Sequence, residues 1–503
     1  MLKPDFHPTR LIYVADSNPR LVLSDNIKGF PEYATLSHCW GTVEFLTLRQ
    51  DNLHTFTVSI PAAALPQTFQ DAIKVVRALG LRYLWIDSLC IMQDKECGDW
   101  AKEASKMTQV YGSSTINIAA TAAANGSEGL FRKGSEHRNC SFFTSAKIDG
   151  VETSLQCVPK MLYLRVIASS PLAKRGWVLQ ERLLAPRTVH FSKSQVFWEC
   201  NKKVACESFP NGLLRLMKGE EFLEKKPVSQ YLWEEIVQLY SHGQLTVKGD
   251  KLVAIAGVAR EFAKSLQDAD YFAGLWAGED FIRQLCWVTR SGLTLSGPYQ
   301  GPTWSWSSVN SRISFPPRDE GRQYVNYVQL LDKDIKLRGP DLNPDPFGAV
   351  LEATIFILCD VLYPMDAKKF NRLRASAISW YPRIGGVCVS IHIFGDTLDN
   401  LSGSLFLIPC MSKLKDGDRD AHFMDLCSSG SFFTFRGLIL KRADSGRRGQ
   451  YERVGCFRGL ADQETTEEED SRSILQDTVL PESAYERITI EGDGNQKYAI
   501  SII

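Results

Sequence analysis

The sequence predicts an α/β fold with a mainly parallel central sheet over residues 1–205, a helical connector over 206–310 and a β-rich region over 311–503. Three observations predict it. Two short apolar runs, 33–37 and 82–87, each end in a polar cluster, Ser37-His38-Cys39-Trp40-Gly41 and Asp87-Ser88-Leu89-Cys90. Between them Phe69, Ala72, Ile73, Val76 and Leu79 recur at helical spacing. Past Trp304-Ser305-Trp306 the pattern turns to strands. Strand, helix and strand in so short a span mark a βαβ unit with parallel strands.

Taken in order, 9–16 and 33–37 read as short buried strands. Pro66 precedes Thr68-Phe69-Gln70-Asp71, a helix start with an acid three positions after the threonine, and Gly80 supplies the stop. Residues 82–87 return as a strand. Asp99 is placed to cap the next helix, which runs to about Tyr111 before Gly112. A third core strand is expected over 115–119. A helix over roughly 171–184 ends before Pro186, and 187–191 faces 195–199 across Ser192-Lys193-Ser194 as a hairpin. Helical patterning then covers 231–240, 252–266 and 280–288. The clearest later strands are 353–358, 404–408, 432–440 and 451–457, with a closing hairpin of 487–490 and 498–502. The acidic stretch 462–470, DQETTEEED, reads as a surface loop. No internal repeat is visible.

Length and charge narrow the function classes. At 503 residues the chain has material for more than one core. Lys+Arg and Asp+Glu balance at 58 each, so no overall field draws it to nucleic acid or an acidic membrane. The 13 cysteines form no CxxC pair, which argues for buried reduced thiols and against a zinc site; no metal is expected. The start, Met-Leu-Lys-Pro-Asp-Phe-His-Pro, lacks the apolar core of a signal peptide, and no apolar stretch reaches membrane-span length. A soluble, cytoplasmic protein is expected.

The polar ends of buried strands in α/β proteins are where ligand crevices form, so the candidate site residues come from there. Glu103 shares one predicted helical stripe with Trp100, Met107 and Val110. A carboxylate among apolar neighbours is either paired or raised in pKa, and the structural alternative is a bridge to Arg82 or Arg182. Asp87, at a strand end, can act as a base or orient a ribose hydroxyl, or else cap the following turn. Cys90 is a candidate nucleophile with His38 across the strands as base; the alternative is a buried inert thiol. Cys39 is disfavoured because neighbouring strand residues point to opposite faces. His38 can also hold a phosphate, with Ser37 and Gly41 letting backbone N–H groups approach an anion; Gly41 alternatively serves only a tight turn. Glu181 lies four residues after Trp177, which walls the same pocket, though it can equally lock its helix in place. No glycine-rich dinucleotide or P-loop segment follows the first strands, so no resident nucleotide cofactor is expected.

The blocks LSHCWG (36–41), LWIDSLCIMQD (84–94), the segment 99–120 with Glu103, Met107 and Val110-Tyr111, and RGWVLQERLLAPRTVHF (175–191) resemble, in order, the motifs of the HET domain, the heterokaryon-incompatibility module of filamentous fungi. DKLVAIAGVA, FAGLWAG with IRQLCWVT, and PTWSWSSV resemble the continuation seen in stand-alone members. The resemblance implies a part in non-self recognition and programmed cell death. It also implies a TIR-like fold, some members of which split NAD, and in that analogy Glu103 is the catalytic carboxylate and NAD a substrate. Met92 departs from the pattern, standing where the family has Asn in Ile-Asn-Gln. Two other readings stay open: a non-catalytic interaction module, and a small-molecule enzyme of fungal secondary metabolism using His38, Asp87, Cys90 or Glu181 as acid or base. No oligomerisation module accompanies the domain, so the trigger is expected from self-association, a separate protein partner or a small-molecule ligand.

Overall fold

The computed structural model describes residues 6–94, 98–131, 142–219, 232–266, 270–289, 299–318, 324–338, 344–366, 378–380, 383–384, 387–396, 404–413, 433–461, 480, 482–490 and 496–503. The chain divides into two compact units. The first holds Met1–Leu245 with Ala254–Ser265, the second Thr246–Val253 with Leu266–Ile503. The stretch 206–310 is thus shared between them.

The sheet of the first unit is mixed, not mainly parallel. Its strands are β1 (Arg10–Tyr13), β2 (Arg20–Leu23), β3 (Tyr33–Ser37), β4 (Tyr83–Trp85) and β5 (Ile116–Ala119). After β6 (Phe142–Ile148) and β7 (Val151–Cys157), a separate hairpin, come β8 (Arg187–Phe191), β9 (Val196–Cys200) and β10 (Lys203–Cys206). The order is β10-β9-β8-β5-β3-β4-β1-β2. Only the centre, β4-β3-β5-β8, is parallel; β1 and β2 on one side and β9 and β10 on the other run antiparallel. The cause is local. Asn201-Lys202 alone joins β9 to β10, a turn that antiparallel neighbours permit and parallel ones do not. From β3 the chain moves to β4 on one side and then to β5 on the other. That is a doubly wound order with its switch point between the carboxyl ends of β3 and β5.

The helices are α1 (Leu53–Val58), α2 (Gln67–Ala78), α3 (Asp87–Cys90), α4 (Asp99–Ala104), α5 (Met107–Gly112), α6 (Gly176–Leu184), α7 (Arg215–Lys218), α8 (Trp233–Tyr240) and α9 (Val253–Ala263). Helix α2 buries Phe69, Ala72, Ile73 and Val76, the stripe read from spacing. It stops at Gly80, whose φ of +73° lets the Leu81 N–H close on the Val76 carbonyl at 3.1 Å. The expected Thr68–Asp71 capping box does not form, because the helix begins at Gln67 and Thr68 lies inside it. The Thr68 hydroxyl instead accepts from the Gly129 N–H at 3.2 Å, and Asp71 from the Leu130 N–H at 3.0 Å.

Two other expected helices are broken. The one over 99–111 divides into α4 and α5 at Ser105-Lys106, and Asp99 spends its carboxylate on the Arg10 guanidinium at 2.7 and 3.0 Å. The one over 171–184 becomes a 3-10 turn, Leu172–Lys174, then an extended Arg175, then α6. Both breaks fix the direction of a cation, Lys106 in the first and Arg175 in the second.

In the second unit the strands Ser404–Lys413, Phe433–Arg442, Gln450–Ala461, Gln496–Ile502 and Val350–Cys359 lie side by side, in that order, in one large sheet. The closing hairpin is present, with Ile490 opposite Gln496. Phe432 and the acidic stretch 462–470 lie outside the described residues. Trp304 and Trp306 are fully buried but not on a strand; Trp306 opens a 3-10 turn, Trp306–Ser308, whose Ser307 N–H is capped by Ser305 at 3.0 Å. The Trp306 indole donates to the Gly274 carbonyl at 2.8 Å and the Trp287 indole to the Trp304 carbonyl at 3.0 Å. Buried Lys251 donates to the Trp306 carbonyl at 3.2 Å. Lys251 and the blocks FAGLWAG, IRQLCWVT and PTWSWSSV therefore share one tryptophan-rich core within this unit.

Candidate functional site

Ser37 closes β3 and is buried against β5, where its hydroxyl and the Asn117 amide bond at 3.0 Å. The strand ends there, so His38 turns into an aromatic box. The Phe69 ring centre lies 4.8 Å from that of His38, edge to face, with Phe45 at 6.2 Å and Trp40 at 6.5 Å. His38 is 2% exposed, and neither ring nitrogen has a hydrogen-bond partner among the described residues. Burial lowers its pKa to about 4; Asp87 opposes the shift and Arg175 adds to it. The imidazole is therefore neutral at physiological pH, with Nδ1 only 3.7 Å from Asp87 Oδ1.

Asp87 begins α3, two residues beyond the end of β4. Its Oδ1 accepts from the Ser88 N–H at 2.7 Å and its Oδ2 from the Trp40 indole at 3.0 Å. Turn fastening and a position at the strand mouth thus belong to the same carboxylate. Glu181 reaches the same place from α6. It is buried, and Oε2 has no hydrogen-bond partner among the described residues. Burial raises its pKa and Asp87 pushes the same way, while Arg175, the Ser37 hydroxyl and the Tyr111 hydroxyl pull it down. Burial likewise pushes the Tyr111 phenol well above its ordinary value.

Four elements therefore converge: the tip of β3 with Ser37 and His38, α3 with Asp87, α5 with Tyr111, and the start of α6 with Arg175 and Glu181. Arg175 and Tyr111 were not singled out from sequence. Arg175 donates to the His38 carbonyl and tempers the acids around it. A continuous helix over 171–184 hides that role, since only the extended residue before α6 aims the guanidinium at the β3 tip.

The other candidates lie elsewhere. Glu103 is buried, but its carboxylate takes the Thr9 hydroxyl at 2.7 Å and the Lys106 ammonium at 2.8 Å. Its partner is Lys106, not Arg82 or Arg182. Burial pushes the Cys90 thiol up to about 12, so it is not a thiolate at neutral pH. Trp177 packs edge-on against Trp100 at 6.1 Å. Gly41 has φ +71°, and a Cβ there would meet Asn125 Cβ at 2.5 Å, so both backbone shape and packing demand glycine. Among the described residues no group of His, Cys, Asp or Glu is gathered as metal ligands, and no helix is long and apolar enough to cross a membrane.

The family model described as heterokaryon incompatibility protein (HET) matches residues 33–181, from the first residue of β3 to Glu181 itself. Residues 33–181 are thus similar to the HET domain. Its limits enclose every group that converges on His38. The motif blocks of the HET domain are thus the segments that fold against one another at the β3–β5 switch point. No curated protein and no solved structure matches the chain.

Proposed function

We propose that this protein acts in heterokaryon incompatibility as a cell-death effector, and that the HET domain works through carboxylate chemistry at His38, Asp87 and Glu181. One observation carries the reading. Buried polar groups are normally paired, and leaving one unpaired costs about 1–3 kcal/mol, yet both His38 nitrogens and one Glu181 oxygen lack a hydrogen-bond partner among the described residues. A site that keeps such groups unpaired, at a switch point where ligands bind, is suited to a substrate.

The reaction we favour is hydrolysis of the nicotinamide–ribose bond of NAD, the activity known in some TIR domains; the doubly wound strand order supports that kinship. Nicotinamide leaves with the bonding electrons, and Asp87 stabilises the ribosyl cation. Glu181, its pKa raised by burial, takes the proton of the attacking water. The products are ADP-ribose, nicotinamide and a proton. A second reading, a non-catalytic interaction module, draws on the bonds from Trp40 to Asp87 and from Arg175 to the His38 carbonyl, which fasten loops.

Purified protein incubated with NAD tests this by nicotinamide release. Turnover by wild type and by Glu103→Gln, with about a hundredfold loss in Glu181→Gln, is the expected pattern. Turnover that survives Glu181→Gln but not Glu103→Gln would move the chemistry to α4. Absence of turnover in all three, with killing of fungal cells intact in Glu181→Gln, would leave the interaction module.

A further inference from the structure

The turn joining Phe433–Arg442 to Gln450–Ala461 carries Arg442, Arg447 and Arg448 around a recess of about 400 Å³, walled on the other side by Glu482 and Ser483. Two of the guanidinium groups are held in place. Arg442 donates to the Ser483 hydroxyl at 2.6 Å. Arg448 donates through Nε to the Tyr485 carbonyl at 2.8 Å and lies 5.3 Å from the centre of the Tyr485 ring. The backbone is clamped as well, by the Gly449 N–H on the Ser483 carbonyl at 3.1 Å. Gly449 sits at φ +65°, and a Cβ on it would strike Glu486 N at 2.5 Å. Side chains fixed in this way lose little freedom on binding.

Three positive charges face one negative one, and that one is weakly engaged. Glu482 is 85% exposed, with its oxygen 3.9 Å from Arg448 Nη1. Arg447 makes no side-chain bond to any described residue, and most of the N–H groups of the other two remain uncommitted. Each guanidinium offers five donors in a planar fork that matches phosphate oxygens. The recess lies at the small end of the range for ligand pockets, and apart from Ala443 its side chains are polar or charged. The balanced charge of the whole chain gives no field for a long polyanion.

We propose that this recess is a binding site for a small phosphate-class anion, a pyrophosphate or phosphomonoester, gripped by Arg442, Arg447 and Arg448. The anion is supplied either free in solution or as a lipid headgroup. It is independent of the HET-domain chemistry.

Calorimetric titration of the full chain with inorganic pyrophosphate tests it. Wild type binds, binding weakens as salt is raised, and Arg447→Ala weakens it about tenfold with an unchanged melting temperature. Because the Arg447 side chain bonds no other described residue, its loss is not expected to endanger folding. A parallel flotation assay uses phosphatidylcholine vesicles with and without a phosphoinositide. Recruitment by the phosphoinositide that Arg447→Ala abolishes identifies the headgroup as the source; pyrophosphate binding without recruitment identifies a free phosphate. No binding to either probe, or binding unaffected by Arg447→Ala, overturns the proposal.

Discussion

Helix α6 carries two adjacent charged residues, and they serve opposite ends. Arg182 turns to a buried cluster in which every member is paired. It grips Glu199 at 2.7 and 3.0 Å, Tyr163 donates to the same carboxylate at 3.1 Å, and His190 lies 3.2 Å from it on one side and 3.2 Å from Thr121 on the other. Glu181, one residue earlier, turns to a cluster of similar composition in which both histidine nitrogens and one glutamate oxygen have no hydrogen-bond partner among the described residues. Both clusters hold a His, a Glu, an Arg and a Tyr in the same unit. Saturated hydrogen bonding marks the one that holds the fold; unspent hydrogen bonding marks the one we propose as the site for a ligand.

The largest effect should come from breaking the saturated cluster. Glu199→Ala strands the Arg182 guanidinium in the interior and should cost about 3–5 kcal/mol in denaturant unfolding. Gly41→Ala comes next. A left-handed backbone and the collision with Asn125 should cost about 1–3 kcal/mol and blunt activity by shifting the His38 loop.

The pH response sharpens the contrast. The folded pKa of His38, about 4, is depressed from 6.5, so the unfolded chain takes up the proton first as pH falls. The contribution of the neutral ring is complete above about pH 6.5 and is lost toward pH 4, at most about 3 kcal/mol. Glu181, with its pKa raised, acts in the opposite sense: it favours the fold at low pH and loses that advantage as pH rises through its folded value. Comparing wild type with His38→Phe isolates the histidine, and the variant should show the shallower decline below pH 6.5. The smallest effect belongs to Glu103→Gln. The amide keeps the Thr9 hydroxyl and frees a half-exposed lysine, so the cost should be about 1 kcal/mol.

Much of the centre was legible in the sequence. β3, α2, β4 and β5 stand out because buried parallel strands and an amphipathic helix leave strong periodic signals, and the strand-end rule led to His38 and Asp87. The flanks were legible only in part: β1 and the β8–β9 hairpin stood out, but β2 and β10, four residues each, left no pattern. Glu103 drew attention through the assumption of one continuous helix over 99–111. Once the helix breaks at Ser105-Lys106, the lysine reaches the glutamate and the stripe becomes an ion pair. Arg175 failed for the converse reason, since its role depends on a single extended residue between two turns.

The most direct test pairs two readings on one variant, His38→Phe. Phenylalanine fits the box of Phe69, Phe45 and Trp40 and removes two unpartnered nitrogens. Unfolding at pH 7 should therefore show it as stable as wild type or about 1–2 kcal/mol more so, while killing of fungal cells on expression is lost. Killing at wild-type strength by a normally folded His38→Phe protein would contradict the assignment of this cluster as the working centre.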